Sequence, residues 1–283
     1  MTETTSIPAL LERYDAFLLD AYGVLVYGQG AIPGAAELIA HLNAIDFPFV
    51  VLTNDAGRSP RSIQARLAGM GMTVPLERVV SSGSLLKGHI EERGAQGSRY
   101  IILGPEDAHR YAREYGVEPV DWTADPATVR GVVACDDRGF GFLEGVEGAL
   151  SLLVQRLDAG LEVDLVLPNP DLIYPKDEGR AIGLTSGSIA LLIEEALAIR
   201  YPDREDLRFT RLGKPHGPIF EEAVRRLGTR NVVMVGDQLQ TDIIGGNRFG
   251  IDTALVQTGL ARWTGEVPSE EHRPTWLVEG LAV

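Results

Sequence analysis

With a single cysteine, Cys135, in 283 residues, the chain can close no intrachain disulfide and build no cysteine-rich metal cluster, which suits a reducing compartment. Basic residues are also scarce: 26 lysines and arginines against 40 aspartates and glutamates leave a formal charge of −14. A polyanion would be repelled on average, so no nucleic-acid partner and no anionic membrane surface is expected. A small anion stays acceptable, because a local cation or metal reverses the sign inside a cleft. No apolar run approaches the roughly 20 residues that span a bilayer. The opening stretch, MTETTSIPALLERYD, is acidic and lacks the basic-then-apolar order of a secretory signal. A cytoplasmic location is expected. What is present is ordinary for a globular protein, with 45% apolar and 23% charged residues, and the length allows one large domain or two moderate ones.

Short apolar runs alternate with amphipathic segments, the pattern of a parallel sheet covered on both faces. Ala16–Leu19, Phe47–Leu52, Asn231–Val235 and Thr253–Val256 read as buried strands. Helices are expected over Gly34–Ile45, Arg61–Gly69, Pro218–Leu227 and Thr241–Phe249. The middle of the chain has its own strands, Tyr100–Leu103, Gly131–Cys135 and Leu165–Leu167, and its own helices, Val146–Leu157 and Ser188–Ile199. The expected fold class is α/β: a doubly wound, Rossmann-like parallel-sheet core from residues 1–82 and 206–283, with residues 83–205 inserted as a smaller α/β domain.

Several core strands end in polar residues, and ligands of open parallel sheets bind outside the carboxyl ends of the strands. Asp20 ends the first strand, and Thr53 and Asn54 end the second. Lys214 stands just before the 218–227 helix, and Asp237 and Asp242 follow the 231–235 strand. Carboxylates with a hydroxyl and an ammonium suit a magnesium–phosphoryl site. Hard oxygens hold the metal, one carboxylate attacks phosphorus, and the lysine offsets crowded negative charge.

In order and spacing, DAYGVL at Asp20–Leu25, VLTNDAGRS at Val51–Ser59, LGKPHGPIF at Leu212–Phe220 and VGDQLQTDIIGGNRFGIDTALVQTG at Val235–Gly259 resemble the haloacid dehalogenase (HAD) superfamily. More narrowly they resemble its class IIA, NagD-like phosphatases. The inserted unit is similar to the class II cap of that branch, with Asn169-Pro170-Asp171 matching the cap's N-P-D segment. The resemblance implies Asp20 as a nucleophile that becomes an aspartyl phosphate, with Lys214 paired to it and to the phosphate. It implies Thr53 hydrogen-bonded to the transferring group, Asn54 nearby, and Asn169 facing a small phosphorylated substrate from the cap. It further implies Mg²⁺ held by Asp20, the backbone carbonyl of Tyr22 and Asp237, with Asp242 supporting. Members of this branch often self-associate, which leaves a homo-oligomer open.

Phosphatases of the superfamily usually carry a second aspartate two residues after the nucleophile, as general acid and base; here Tyr22 stands there. A phenol with a reference pKa of ~10 can donate a hydrogen bond but is a poor base at neutral pH. An aspartyl phosphate would then form with a good leaving group and hydrolyse slowly, unless another group activates water. Asp55 and His216 are the nearest candidates in sequence. Asp-Ala-Tyr-Gly also resembles the opening of 2-haloacid dehalogenases, whose halide leaves without a proton. That chemistry uses no magnesium and leaves Asp237 and Asp242 without a purpose. A third reading is a phosphate-ligand binder in which Tyr22 has abolished turnover.

Other features have plain structural accounts. Thr53 and Asn54 suit a turn and helix cap, and Asp242 suits a helix N-terminus. Gly28-Gln29-Gly30 puts the next glycine, Gly34, one residue too late for a dinucleotide loop and reads as a flexible turn. Cys135 is expected to be a small buried residue, and Trp122, Trp263 and Trp276 to be packing residues. His41, His89, His109 and His272 lack ligand spacing and are expected at the surface.

Overall fold

The strands Ala16–Asp20, Phe49–Thr53 and Val232–Gly236 are buried at every position, so side chains of both parities face packed helices. That double burial is why each reads as a continuous apolar run. In the computed structural model, which describes residues 2–28, 30–176, 180–257 and 263–283, they lie at the centre of a seven-stranded sheet. The order is Glu3–Thr5, Trp276–Val278, Asp252–Val256, Val232–Gly236, Ala16–Asp20, Phe49–Thr53 and Val79–Ser81, and every pairing is parallel. Helices Ala35–Ala44, Pro60–Gly69, Gly217–Leu227 and Ile244–Phe249 belong with this sheet. Their apolar faces, such as Leu38, Ile39 and Leu42 or Ile219, Phe220 and Ala223, are buried.

The chain divides into two compact units. The first contains Met1–Thr53, Pro60–Ser81 and Lys214–Val283; the second contains Asn54–Ser59 and Ser82–Gly213. The second unit has its own five-stranded, all-parallel sheet in the order Thr210–Arg211, Asp164–Leu167, Val129–Ala134, Arg99–Leu103 and Glu118–Val120. Its long helices are Phe142–Asp158 and Ser186–Arg200, and an antiparallel hairpin joins Ile173–Lys176 to Ala181–Leu184. The expected α/β class with a parallel-sheet core is therefore what the chain adopts.

Several local expectations change. Helix Thr241–Phe249 is shorter than expected: Leu239–Ile243 forms a π-helical turn and the α-helix begins at Ile244. The cause is Asp242, whose Oδ2 accepts the backbone N–H groups of Asp237 at 3.2 Å and Gln238 at 3.1 Å and so shapes the turn. Of the 28–30 turn, Gln29 lies outside the described residues, but its flanks are paired strands, Val26–Tyr27 and Gly30–Ala31. Thr258 and Gly259, the end of the last motif, also lie outside the described residues. His89 is not a surface residue. It shares the buried face of Leu86–Glu92 with Leu86 and Ile90, and its Nε2 meets the Asp164 carboxylate at 3.1 Å. Tyr100 Oη donates to the same carboxylate at 2.7 Å. Cys135 is buried as expected, and burial pushes its thiol up to about 12 although Tyr111 Oη donates to Sγ at 3.2 Å. Among the described residues, no helix is long and apolar enough to cross a membrane.

Candidate active site

The first unit brings the polar strand ends together. Asp20 pairs in register with Leu52, one residue before Thr53, and Leu19 pairs with Val235, two before Asp237. Asp20, Thr53 and Asp237 thus stand side by side at the carboxyl edge of three adjacent strands. All three are buried. Lys214 enters from the segment ahead of helix Gly217–Leu227. Its Nζ donates to Asp20 Oδ1 at 2.6 Å, to Asp242 Oδ1 at 2.7 Å and to the Leu52 carbonyl at 3.3 Å. Asp20, Asp237 and Asp242 each offer a carboxylate oxygen, and these oxygens lie within 4.8 Å of one another.

One ammonium among three buried carboxylates leaves a surplus of negative charge. Burial pushes the Asp20 carboxyl well above the ordinary range; Lys214 draws it down, and Asp242 and Asp237 push it back up. Burial alone would lower the Lys214 ammonium, but the carboxylates of Asp20 and Asp242 outweigh it and hold the group above its usual value. Charge surplus and an all-oxygen donor set are what a hard divalent cation neutralises, so these residues fit such an ion better than a soft metal.

The backbone after Asp20 is fitted to Asp237. Gly23 has φ +94°, and a Cβ there would fall 2.1 Å from Asp237 Cγ and Oδ2. Only glycine lets the chain lie this close to the carboxylate in this conformation. Gly23→Ala is therefore expected to displace Asp237. It should destabilise the protein by roughly 1–3 kcal/mol through strain and overpacking, and weaken divalent-cation binding. Denaturant unfolding with and without Mg²⁺ measures both effects; an unchanged midpoint and an unchanged Mg²⁺ response would contradict them.

Tyr22 lies between these positions in sequence, but its side chain is 36% exposed and is held by Arg66 of helix Pro60–Gly69. Arg66 was not among the sequence candidates, since a polar residue on a helix exterior carries no periodic signal. Gly23 could have been suspected from its place directly behind Tyr22.

His216 is the N-cap residue of helix Gly217–Leu227 in the first unit. Asn54, Asp55 and Asn169 belong to the second unit. There Asn54 Nδ2 donates to Asp171 Oδ1 at 2.8 Å. Asn169 has its amide engaged locally: Nδ2 donates to Thr185 Oγ1 at 3.1 Å and Oδ1 accepts from the Asp171 backbone at 3.0 Å. Asp55 is ion-paired with Arg58 at 2.7 Å; burial raises its carboxyl and Arg58 offsets part of that.

The family profile described as haloacid dehalogenase-like hydrolase matches residues 17–118, and a second HAD-hydrolase-like profile matches residues 211–283. The chain belongs to the haloacid dehalogenase-like hydrolases. Relatives match over most of this chain. A dihydroxyacetone phosphatase of Corynebacterium glutamicum is 27% identical over 94% of this chain and 89% of its own length. Among solved structures, a Cytophaga hutchinsonii HAD-superfamily protein described as a possible sugar phosphatase is 28% identical. It superposes with a TM-score of 0.86 over 100% of this chain and 99% of its own. A Mycobacterium tuberculosis glycerol phosphate phosphatase, solved in complex with calcium, is 26% identical with a TM-score of 0.77, over 96% of this chain and 75% of its own. Within the haloacid dehalogenase-like hydrolases, the Corynebacterium and Mycobacterium relatives are named phosphatases, in keeping with the NagD-like branch that the motifs resemble. Tyrosine occupies position 22 of this hydrolase, two residues after Asp20.

Proposed function

We propose that the protein is a Mg²⁺-dependent phosphatase acting on a small phosphorylated metabolite through an aspartyl phosphate on Asp20. The observation that carries the reading is the buried cluster of Asp20, Asp237 and Asp242 around Lys214 at the carboxyl edge of the sheet. Asp20, Asp237 and the Tyr22 carbonyl would hold the ion, with Asp242 supporting them. When bound, a divalent ion supplies charge neutralisation between the phosphoryl group and the carboxylates.

Asp20 attacks phosphorus, the ester bond breaks, and the phosphoryl group passes to the carboxylate. Lys214, already bonded to Asp20, offsets the charge gathering on the equatorial oxygens. Thr53, at the neighbouring strand end, donates a hydrogen bond to that group. Water then cleaves the acyl phosphate and returns Asp20. Asp242 fixes Lys214 and the Asp237–Gln238 backbone together. Residues 83–205 serve as the cap. The relatives named for dihydroxyacetone phosphate and glycerol phosphate support a compact, polar leaving group. The dehalogenase alternative gives no purpose to Asp237 and Asp242, and the similar proteins described above are phosphatases.

The deciding assay is release of p-nitrophenolate from p-nitrophenyl phosphate. Turnover is expected with Mg²⁺, falling by about 10²-fold or more in EDTA and returning when Mg²⁺ is restored. Turnover insensitive to EDTA, or chloride release from 2-chloropropionate in EDTA, would overturn the proposal.

A further inference from the structure

Arg66 lies outside the chemistry described so far, yet its guanidinium is committed to the segment that follows the nucleophile. It lies over the Tyr22 ring at 5.0 Å, donates through Nη1 to Tyr22 Oη, and donates through Nη2 to the Gly28 carbonyl at 2.6 Å. Gly28 closes strand Val26–Tyr27 of the small hairpin, and Tyr22 is bridged to Val26. One side chain thus ties the phenol and the hairpin to helix Pro60–Gly69. Among the described residues Arg66 forms no ion pair: its charge is directed at two neutral oxygens, one of them the phenol. Tyr22 is 36% exposed, so core packing alone does not fix its ring.

A phenolic hydroxyl both accepts and donates. When its oxygen accepts from a cation, its own hydrogen becomes a stronger donor, because linked hydrogen bonds polarise one another. Among the described residues that hydrogen has no acceptor. Tyr22 stands two residues from Asp20, at the position where the family usually keeps the group that serves the departing oxygen.

Resting on the phosphatase reading above, we propose that Arg66 is a positioning residue for the leaving-group side of the reaction. By donating to Tyr22 Oη it fixes the phenol and leaves the hydroxyl hydrogen for the departing ester oxygen. That hydrogen bond strengthens as the phosphorus–oxygen bond lengthens. The phenol keeps its proton throughout, and the released oxygen takes a proton from water.

The test uses kcat/KM, which covers the steps through release of the leaving group, for two substrates of similar shape. These are p-nitrophenyl phosphate, whose leaving group needs little help, and phenyl phosphate, whose leaving group needs more. Arg66→Met and Tyr22→Phe are each expected to lower kcat/KM for phenyl phosphate by about tenfold and for p-nitrophenyl phosphate by less than about threefold. The double variant should be no worse than either single one, because both remove the same placed donor. Arg66→Lys, which keeps charge but not the fork, should recover part of the loss. Equal losses on both substrates, or losses that multiply in the double variant, would overturn the proposal. So would a Tyr22→Phe protein with the leaving-group dependence of the wild type, a result that needs no Arg66 variant to fold. Wild-type turnover that is absent, or that survives loss of Asp20, would instead sink the phosphatase reading itself.

Discussion

Asp20→Asn is expected to abolish phosphatase turnover while raising the melting temperature of the metal-free protein. The loss should be roughly 10³-fold or more, since a carboxamide cannot serve as the attacking group and no other route to the acyl phosphate remains. The stability gain follows from the sign of the Asp20 shift. Burial, with Asp242 and Asp237 nearby, holds its folded-state pKa above the unfolded value despite Lys214. A carboxyl shifted upward contributes its stability below the unfolded pKa and loses it as pH rises toward the folded pKa. At neutral pH the wild type carries that penalty and the neutral amide does not, so the gain should grow from pH 4 toward pH 7. Lys214 keeps Asp242 as a partner at 2.7 Å in either protein. Added Mg²⁺ should reverse the order, because a ligand that binds only the folded state stabilises it more the more tightly it binds, and the variant offers one carboxylate fewer. Thermal melts at two pH values with and without Mg²⁺, beside the p-nitrophenyl phosphate assay, read all of this. A variant that keeps its turnover, or that shows the wild-type Mg²⁺ shift, contradicts the assignment of Asp20.

The candidate site was legible largely because its residues sit at ends of elements that announce themselves. Phe17-Leu18-Leu19 and Val232-Val233-Met234-Val235 are buried on both faces, so each strand is an unbroken apolar run and the polar residue behind it marks the carboxyl edge. Edge strands give no such signal. Glu3–Thr5 has no apolar residue and is a strand only because Trp276–Val278, from the far end of the chain, pairs with it. Glu118–Val120 contains Pro119, which reads as a breaker but is tolerated at the margin of the second sheet. The start of helix Ile244–Phe249 was misplaced because side-chain bonds from Asp242 set the preceding turn, and periodicity does not record them. His89 illustrates the converse. A histidine between Leu86 and Ile90 on a helical face shows no ligand spacing, whereas its partner Asp164 lies 75 residues away and supplies what burial requires.

Tyr22→Asp is expected to speed steady-state turnover, and the reason lies in the second half of the reaction rather than the first. A phenol can steady a departing oxygen but cannot take a proton from water at neutral pH, so the aspartyl phosphate should outlive the step that makes it. With p-nitrophenyl phosphate the wild type should therefore release about one equivalent of p-nitrophenolate in a rapid burst and then turn over slowly, the kinetic mark of an accumulating covalent intermediate. A carboxylate at position 22 restores a base on the same backbone that Gly23 holds against Asp237. The burst should disappear and kcat should rise by about 10- to 10²-fold, at or below the lower end of what a positioned acid–base group contributes. The gain stays below the full range because Arg66, built here to face a phenol, would draw the shorter carboxylate toward itself. Adding Arg66→Met to Tyr22→Asp should accordingly raise kcat further, whereas in the wild type the same change lowers kcat/KM for phenyl phosphate. Rapid-mixing measurements on the four proteins decide the point. A wild type without a burst, together with a Tyr22→Asp variant no faster than it, would mean that the tyrosine does not limit hydrolysis and that another group already activates the water.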